Sequence, residues 1–300
     1  MLKRFNISVP SEFEEPLLGL ADFYGVSAFS NPLIRDEGMG ETDFVYTGQT
    51  VVSFIVSTIE QDSEEIEKGI IKWLDDFSLP KNSLSCEEYS ENQDWMANFK
   101  QYFKPIQIGD EIVIRPPWEE PLPCEDKATT ILIDPGMAFG TGTHETTRLC
   151  LSFLSKMDVK NQQFLDLGAG SGILSFYLMK KGAKSGVAIE IEGAAVENMK
   201  KNAALNNIPK ELEMICADLG KYKPISQVDG IVANITSPVI LEYLPYFSPW
   251  VKKGGWGVFS GVNSANAELV KKAFAQNGWS SLQEKTDGDW HGFLEKRTEN

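Results

Sequence analysis

Residues 166–172, Asp-Leu-Gly-Ala-Gly-Ser-Gly, decide the fold class of this 300-residue chain. They follow the apolar pair Phe164-Leu165, which indicates a strand, and they precede a helix-forming run at residues 173–181. Glycines at a strand-to-helix turn let the backbone approach a ligand where a Cβ atom would collide. A second apolar strand, residues 186–189, ends next to Glu190, whose carboxylate can accept two hydrogen bonds from a ribose. We therefore predict a nucleoside-binding crevice at the ends of these two strands.

The glycine spacing distinguishes between nucleoside ligands. Dinucleotide-binding folds use G-x-G-x-x-G, whereas this chain has G-x-G-x-G, with Asp166 two residues before Gly168. A Walker phosphate-binding loop is excluded because the chain contains no G-K-[ST] tripeptide. The pattern resembles the first motif of the class I S-adenosylmethionine methyltransferases, whose cofactor carries no phosphate. The alternative is a tight turn in another α/β domain, and Glu190, twenty-two residues after Gly168, favours the cofactor interpretation.

Composition narrows the range of partners. The length suggests two domains, and 42% hydrophobic residues suffice to form their cores. The formal net charge of −15 argues against a duplex-binding protein, so no direct DNA binding is expected. The same charge is compatible with a basic protein substrate.

The cysteines and the apolar runs bear on the cellular compartment. Four cysteines, 86, 124, 150 and 216, are widely spaced without a C-x-x-C motif, and two histidines are too few to complete a zinc site. We therefore expect reduced, mostly buried thiols and no metal site. Residues 1–16 contain no apolar signal-peptide core, and no run approaches about 18 apolar residues, so the expected location is cytoplasmic, with no membrane partner.

The N-terminal part is predicted to be a small α+β, ferredoxin-like domain over residues 1–90. Within it, residues 44–46 and 50–59 are predicted to form a hairpin that turns at residues 47–49. No catalytic constellation is visible there, which favours substrate docking. Residues 91–128, with an aromatic-rich start and a strand pair, are predicted to be a linker module.

From residue 129 to residue 300, strands alternate with helical segments. This alternation predicts a doubly wound, Rossmann-like sheet. Two closing strands, residues 279–283 and 290–295, are separated by a short connector, which suits the antiparallel last strand typical of class I methyltransferases.

A second motif precedes the glycine-rich turn. Residues 134–147 read Asp-Pro-Gly-Met-Ala-Phe-Gly-Thr-Gly-Thr-His-Glu-Thr-Thr, a loop of the kind that often lies over a ligand. This loop closely resembles the bacterial ribosomal protein L-eleven methyltransferase (PrmA-type) family. The resemblance covers roughly residues 94–296 and includes Trp95, Tyr102-Phe103-Lys104-Pro105, Arg115-Pro116, Trp118-Glu119, Val232-Ala233-Asn234-Ile235 and Asp289-Trp290.

The resemblance implies a set of site residues. Thr147 would lie beside the cofactor, Glu190 would hold the ribose hydroxyls although the family usually has aspartate there, and Asn234 would be the catalytic residue beside the transferable methyl group. The remaining cofactor-site residues implied are Asp166, Gly168, Gly170 and Phe139. His144 could act as a general base or could hydrogen-bond its own loop, and the second interpretation is favoured.

The implied activity is protein N-methylation. Methyl groups would pass from S-adenosylmethionine to a lysine side chain or an N-terminal amine of a basic large-subunit ribosomal protein, free or on the ribosome. Adenine and glutamine methyltransferases carry a proline pair and an aromatic residue after this asparagine, whereas here Asn234 is followed by Ile-Thr-Ser. The alternatives left open are another protein, RNA or small-molecule substrate, or a non-catalytic cofactor-binding factor associated with the ribosome.

Overall fold

The chain forms two compact units, Met1–Phe99 and Lys100–Asn300. The computed structural model describes residues 2–36, 44–57, 61–89, 103–134, 142 and 144–298. The N-terminal unit has one sheet and one apolar core, the second unit has two of each, and each unit is described by itself.

The N-terminal unit has the element succession β-α-β-β-α-β. Its four strands are ordered β2-β3-β1-β4 and all neighbours are antiparallel, the strand order of a ferredoxin-like unit. Apolar residues of β1, including Phe5 and Ile7, pack with Leu17 of the first helix and Ile70 of the second. The elements are β1 (Leu2–Pro10), α1 (Glu14–Tyr24), β2 (Ser27–Asp36), β3 (Phe44–Ser57), α2 (Ser63–Asp76) and β4 (Leu84–Tyr89).

The predicted hairpin at residues 47–49 is wrong. Residues 44–57 form one strand, β3, which pairs with β2 along its length. Gly48 has φ +71°, and three β3 residues stand opposite Leu33 alone, between the pairs Pro32–Thr50 and Ile34–Tyr46. The segment 47–49 therefore forms a bulge with two extra residues, which the left-handed Gly48 accommodates without reversing the chain.

A small sheet opens the second unit. Its strands are β5 (Ile106–Ile108), β6 (Ile112–Arg115) and β7 (Thr129–Leu132). The predicted strand pair is present as β5 antiparallel to β6, and β7 adds to β6 in parallel.

The main sheet has seven strands in the order β10-β9-β8-β11-β12-β14-β13. Its members are parallel except for β14, which runs antiparallel to both of its neighbours, so the predicted doubly wound sheet with an antiparallel last strand is confirmed. None of the described helices is long and apolar enough to cross a membrane. The elements are α3 (Glu145–Leu154), β8 (Gln163–Leu167), α4 (Ile173–Lys180), β9 (Ser185–Glu190), α5 (Gly193–Leu205), β10 (Leu212–Cys216), β11 (Val228–Asn234), α6 (Ser237–Phe247), β12 (Val251–Asn263), α7 (Ser264–Gln276), β13 (Trp279–Asp287) and β14 (Trp290–Arg297).

Both faces of this sheet are covered. Phe164 of β8 belongs to a core that includes residues of α3, α4 and α5, whereas Leu165 and Leu167 belong to a second core with α6 and α7. This division follows from the alternation of side chains along a strand. Asp166 shares the face of Phe164, which places its carboxylate on the side covered by α3 and α4.

The expectation of mostly buried thiols is wrong. Cys150 is buried in the core under α3, but Cys86 and Cys216 are exposed and Cys124 is half-buried. All four are unbridged. Cys86 and Cys216 lie on β4 and β10, which are edge strands of their sheets, so no further strand covers their outer side.

Candidate active site

The predicted site residues converge at the carboxyl ends of adjacent parallel strands. The glycine-rich turn follows β8, Glu190 ends β9, and Asn234 ends β11. The strand order reverses at β8, which has β9 on one side and β11 on the other. Open α/β sheets bind ligands in the crevice at this switch point, because the loops on either side turn away from each other.

The glycine-rich turn adopts a backbone conformation that requires glycine. Gly168, Gly170 and Gly172 have φ values of +72°, +52° and +85°. A Cβ atom on Gly168 would collide with the side chain of Ile235, and one on Gly172 would lie 2.6 Å from Met199 Cγ. The Gly168 and Ala169 amides donate to the Ile189 carbonyl at 2.9 and 3.0 Å, so the turn is tied to the end of β9.

Asp166 lies beneath this turn. Its side chain is 1% exposed, and its Oδ2 accepts hydrogen bonds from the Ser175 amide at 3.1 Å and the Ser175 hydroxyl at 2.7 Å. Burial raises the pKa of this carboxyl to about 7, and the negative charge of Glu190 acts in the same direction. The carboxyl thus links the end of β8 to the first turn of α4, across the glycines.

Glu190 has its carboxylate held by the main chain. Oε2 accepts from the Gly170 amide at 2.9 Å, and Oε1 accepts from the Ile191 and Glu192 amides at 2.7 and 3.2 Å. A carboxylate offers about four acceptor positions, so roughly one remains on Oε2. The arrangement fixes the carboxylate at the mouth of the crevice with an acceptor position available for a hydroxyl donor.

Thr147 and Asn234 are brought together although 87 residues separate them. Asn234 Nδ2 donates to Thr147 Oγ1 at 3.3 Å. Thr147 is fully buried in the first turn of α3, whereas Asn234 is half-buried. Among the described residues, none donates a hydrogen bond to Asn234 Oδ1, so this oxygen can accept one from a ligand.

His144 is the N-cap of α3. Its Nδ1 accepts from the Thr146 amide at 3.3 Å and lies 2.8 Å from Thr146 Oγ1. The ring also makes an edge-to-face contact with Trp290, with centroids 5.1 Å apart. These contacts are the ones expected if His144 hydrogen-bonds its own loop, which is the favoured interpretation. Phe139, the remaining predicted cofactor-site residue, lies outside the described residues.

Sequence reasoning missed Ile191. It follows Glu190 directly, at the mouth of the crevice, and its large apolar side chain is 66% exposed. An apolar residue immediately after the acidic residue that ends a strand was the available signal. Such a surface suits the flat face of a purine base beside a ribose.

Sequence reasoning also missed a pair of asparagines at the C-terminal end of α5, of which Asn206 is the residue that caps the helix. Asn202 Oδ1 accepts from the Asp134 amide at 2.9 Å, and its Nδ2 donates to the Asp134 carbonyl at 3.3 Å. Asn206 does the same for Leu132, at 2.8 and 2.6 Å. Two side-chain amides, four residues apart, thus pair with alternate residues at the end of β7 as a neighbouring strand would. They fix the point at which the chain enters the segment 135–141.

The comparisons with known proteins agree on one family. The family model described as "Ribosomal protein L11 methyltransferase (PrmA)" matches residues 5–298. The chain is 33% identical over 311 residues to a ribosomal protein L11 methyltransferase of Clostridium botulinum (strain Alaska E43 / Type E3), covering 94% of each chain. It is 40% identical over 218 residues to that of Thermosynechococcus vestitus, covering 69% of this chain and 72% of the relative.

A solved structure supports the same assignment. The ribosomal protein L11 methylase from Lactobacillus delbrueckii subsp. bulgaricus superposes with a TM-score of 0.61 at 30% identity, covering 65% of this chain and 98% of the other. The left-handed glycine turn, the anchored carboxylate of Glu190 and the absence of a phosphate-binding pattern fit S-adenosylmethionine as the cofactor. The chain therefore belongs to the ribosomal protein L11 methyltransferase (PrmA) family and is a class I, S-adenosylmethionine-dependent methyltransferase.

Proposed function

We propose that this enzyme methylates amino groups of ribosomal protein L11, at a lysine side chain, at the N-terminal amine or at both. The relatives are named for that substrate. The observation that carries the choice of an amine is the Asn234 carboxamide at the end of β11. Its nitrogen is engaged by Thr147, so its oxygen is the atom presented to a ligand, and a carbonyl oxygen accepts hydrogen bonds from N–H donors.

The cofactor is proposed to lie across the ends of β8, β9 and β11. Glu190 would accept a hydrogen bond from a ribose hydroxyl, Ile191 would pack against the base, and Gly168 and Gly170 would allow close approach of the backbone. Thr147 and Asn234 would lie toward the methionine end. Asp166 would act indirectly, because its buried carboxyl holds the start of α4 and hence the shape of the turn. Phe139 stays a proposal from the sequence pattern.

The chemistry proposed is an in-line methyl transfer. When bound, S-adenosylmethionine supplies an electrophilic methyl group with a good leaving group, so positioning is the main task of the protein. An attacking lysine must first be neutral, and its ordinary pKa is about 10.4. Asn234 Oδ1 would accept an N–H of the neutral amine and direct its lone pair. The half-buried setting of Asn234 favours the neutral form over the ammonium ion.

Substrate docking is proposed for the N-terminal domain, residues 1–90, with residues 91–128 as the linker and residues 129–300 as the catalytic domain. The N-terminal unit has its own core, and its described residues contain no group of His, Cys, Asp or Glu that could hold a metal ion. The acidic chain, with a net charge of −15, suits a basic substrate because complementary charge speeds encounter.

The test combines radiolabelled S-adenosylmethionine with purified L11, with L11 on ribosomes and with a ribosome-depleted lysate. We expect a labelled L11 band, and mass spectrometry of its peptides to place the methyl groups on amines. Asn234→Ala should reduce kcat about tenfold or more at saturating cofactor while leaving the melting temperature within a few degrees of wild type. Label on RNA, on a small molecule or on a carboxyl or thiol group of L11 would refute the proposal.

A further inference from the structure

Two polar contacts join the edge strand β13 to helix α3. Asp287 Oδ2 accepts hydrogen bonds from Arg148 Nε at 3.2 Å and from Arg148 Nη2 at 2.9 Å. Lys285 Nζ donates to Ser152 Oγ at 2.8 Å and to the Ser152 carbonyl at 3.3 Å. Both contacts bridge more than 130 residues of sequence, so they report tertiary placement and not local structure.

The spacing of these residues makes the two contacts a matched pair. Lys285 and Asp287 are two residues apart on a strand and therefore lie on one face. Arg148 and Ser152 are four residues apart on a helix and likewise share a face. The contacts hold α3 along β13 at two points, one near each end of the helix. The two contacts differ in how close each of them lies to Thr147 on the helix.

The Arg148–Asp287 contact is adjacent to the site. Arg148 directly follows Thr147, whose hydroxyl accepts from Asn234. Near the same turn, Trp290 of β14 contacts the ring of His144, the N-cap of α3. Asp287 and Trp290, which flank the β13–β14 turn, therefore contact residues that come after and before Thr147 in the sequence. Ser152, by contrast, lies more than one helical turn further along.

The ion pair is poorly suited to a purely stabilising role. The side chains of Arg148 and Asp287 are 29% and 39% exposed, and Arg148 Nη2 also lies 3.3 Å from Glu145 Oε1. Exposed or half-exposed ion pairs contribute little to stability, because water competes for both partners. Its position, one residue after Thr147, instead suits it to restrain the orientation of the turn that carries Thr147.

We propose that Asp287 is a positioning residue for methyl transfer. Through Arg148 it sets the placement of the first turn of α3, and through Thr147 the placement of the Asn234 carboxamide. Misplacement of a reacting or orienting group by about 1 Å can reduce a rate up to a hundredfold, so loss of this restraint is expected to reach the rate. The proposal rests on the proposed role of Asn234 in orienting the substrate amine.

The test compares Asp287→Asn with Lys285→Met in the full-length enzyme. The first removes the charge at the Thr147 end of α3, and the second removes the ammonium at the far end while keeping a stem to pack on Phe153. We expect Asp287→Asn to lower kcat for L11 methylation about five- to tenfold with an almost unchanged melting temperature. The conservative variant Asp287→Glu should retain most of the wild-type kcat. Lys285→Met should keep kcat within about twofold of wild type.

A second readout is independent of the methyl acceptor. In ¹⁵N-labelled protein, the side-chain amide signals of Asn234, assigned by their loss in Asn234→Ala, should shift in Asp287→Asn and stay in place in Lys285→Met. Unmoved Asn234 signals in Asp287→Asn would overturn the positioning role even if L11 were not the substrate. Equal loss of kcat in Asp287→Asn and Lys285→Met would also overturn it, because general docking of α3 would then be the cause.

Discussion

At the scale of single residues, the Glu190 carboxylate is oriented by the backbone of two loops. It joins the glycine-rich turn to the start of α5 through the Gly170, Ile191 and Glu192 amides. These three bonds leave about one acceptor position, so one strong hydrogen bond from a ribose hydroxyl is expected where the sequence alone suggested two.

Glu190→Ala should weaken S-adenosylmethionine binding about tenfold or more. The expected loss is one charge-assisted hydrogen bond, about 1.5–3 kcal/mol, together with a less ordered glycine turn. Isothermal titration calorimetry measures it directly. Glu211→Ala is the matched control, because it removes the same charge at the opposite end of the neighbouring strand and should bind normally. Unchanged affinity in a folded Glu190→Ala protein would exclude Glu190 from the cofactor site.

Glu295 should make the stability of the protein fall as the pH rises. It is 1% exposed on β14, and burial raises its pKa from 4.5 to about 7. Between those values the unfolded chain has released the proton and the folded chain has kept it. The free energy of unfolding therefore decreases from about pH 4.5 to pH 7 and levels off above.

Glu295→Gln removes this dependence. The variant should gain about 1–3 kcal/mol relative to wild type at pH 8 and little at pH 5, as measured by urea denaturation at both values. Asp166 has a pKa raised in the same direction but is present in both proteins, so its contribution cancels in the difference. A difference that is equal at both pH values would show that Glu295 is ionised in the folded state at pH 5.

At the scale of elements, the asparagines of α5 replace a strand beside β7. Asn202→Ala and Asn206→Ala each remove two hydrogen bonds to the backbone of β7 or of the residues after it, so each should cost about 1–3 kcal/mol of unfolding free energy. Asn277→Ala is the control, because its side-chain amide bonds, among the described residues, only to the carbonyl of Ala273 in the helix that it follows. Urea denaturation distinguishes these cases. Losses no larger than that of Asn277→Ala would mean that water replaces the side-chain amides.

At the scale of the whole molecule, the two units have separate apolar cores. The buried residues of the N-terminal core lie between Phe5 and Leu74, whereas those of the second unit begin at Ile112. A fragment consisting of residues 94–300 contains every proposed cofactor-site residue. It should bind S-adenosylmethionine within about threefold of the full chain, because the binding energy comes from contacts within the second unit.

The same fragment should lose methylation of L11. Calorimetry on the fragment measures the binding of S-adenosylmethionine. A filter-binding assay with labelled cofactor measures the methylation of L11. Full activity of residues 94–300 on L11 would refute the docking role of residues 1–90. Loss of cofactor binding would show instead that the fragment does not retain the fold of the second unit.

Several features of this protein followed from the sequence alone. The apolar strands alternating with helices require a doubly wound sheet, because each strand must bury both faces. The G-x-G-x-G turn and Glu190 place a crevice at the strand ends, since glycine adopts the positive φ values found at residues 168, 170 and 172 without the steric cost that a side chain adds. These are local or periodic properties, and a single sequence contains them in full.

Other features depended on contacts between distant parts of the chain. The sequence has a turn signal at residues 47–49, yet pairing with β2 and β1 keeps the strand continuous, because the ladder hydrogen bonds outweigh a local preference. The Asn234–Thr147 contact, the asparagine pair on α5 and the Arg148–Asp287 ion pair each join residues more than 60 positions apart. No periodicity encodes such pairs. Only the packing of helices on the sheet brings them within hydrogen-bonding distance, and that packing determines how the predicted site is oriented.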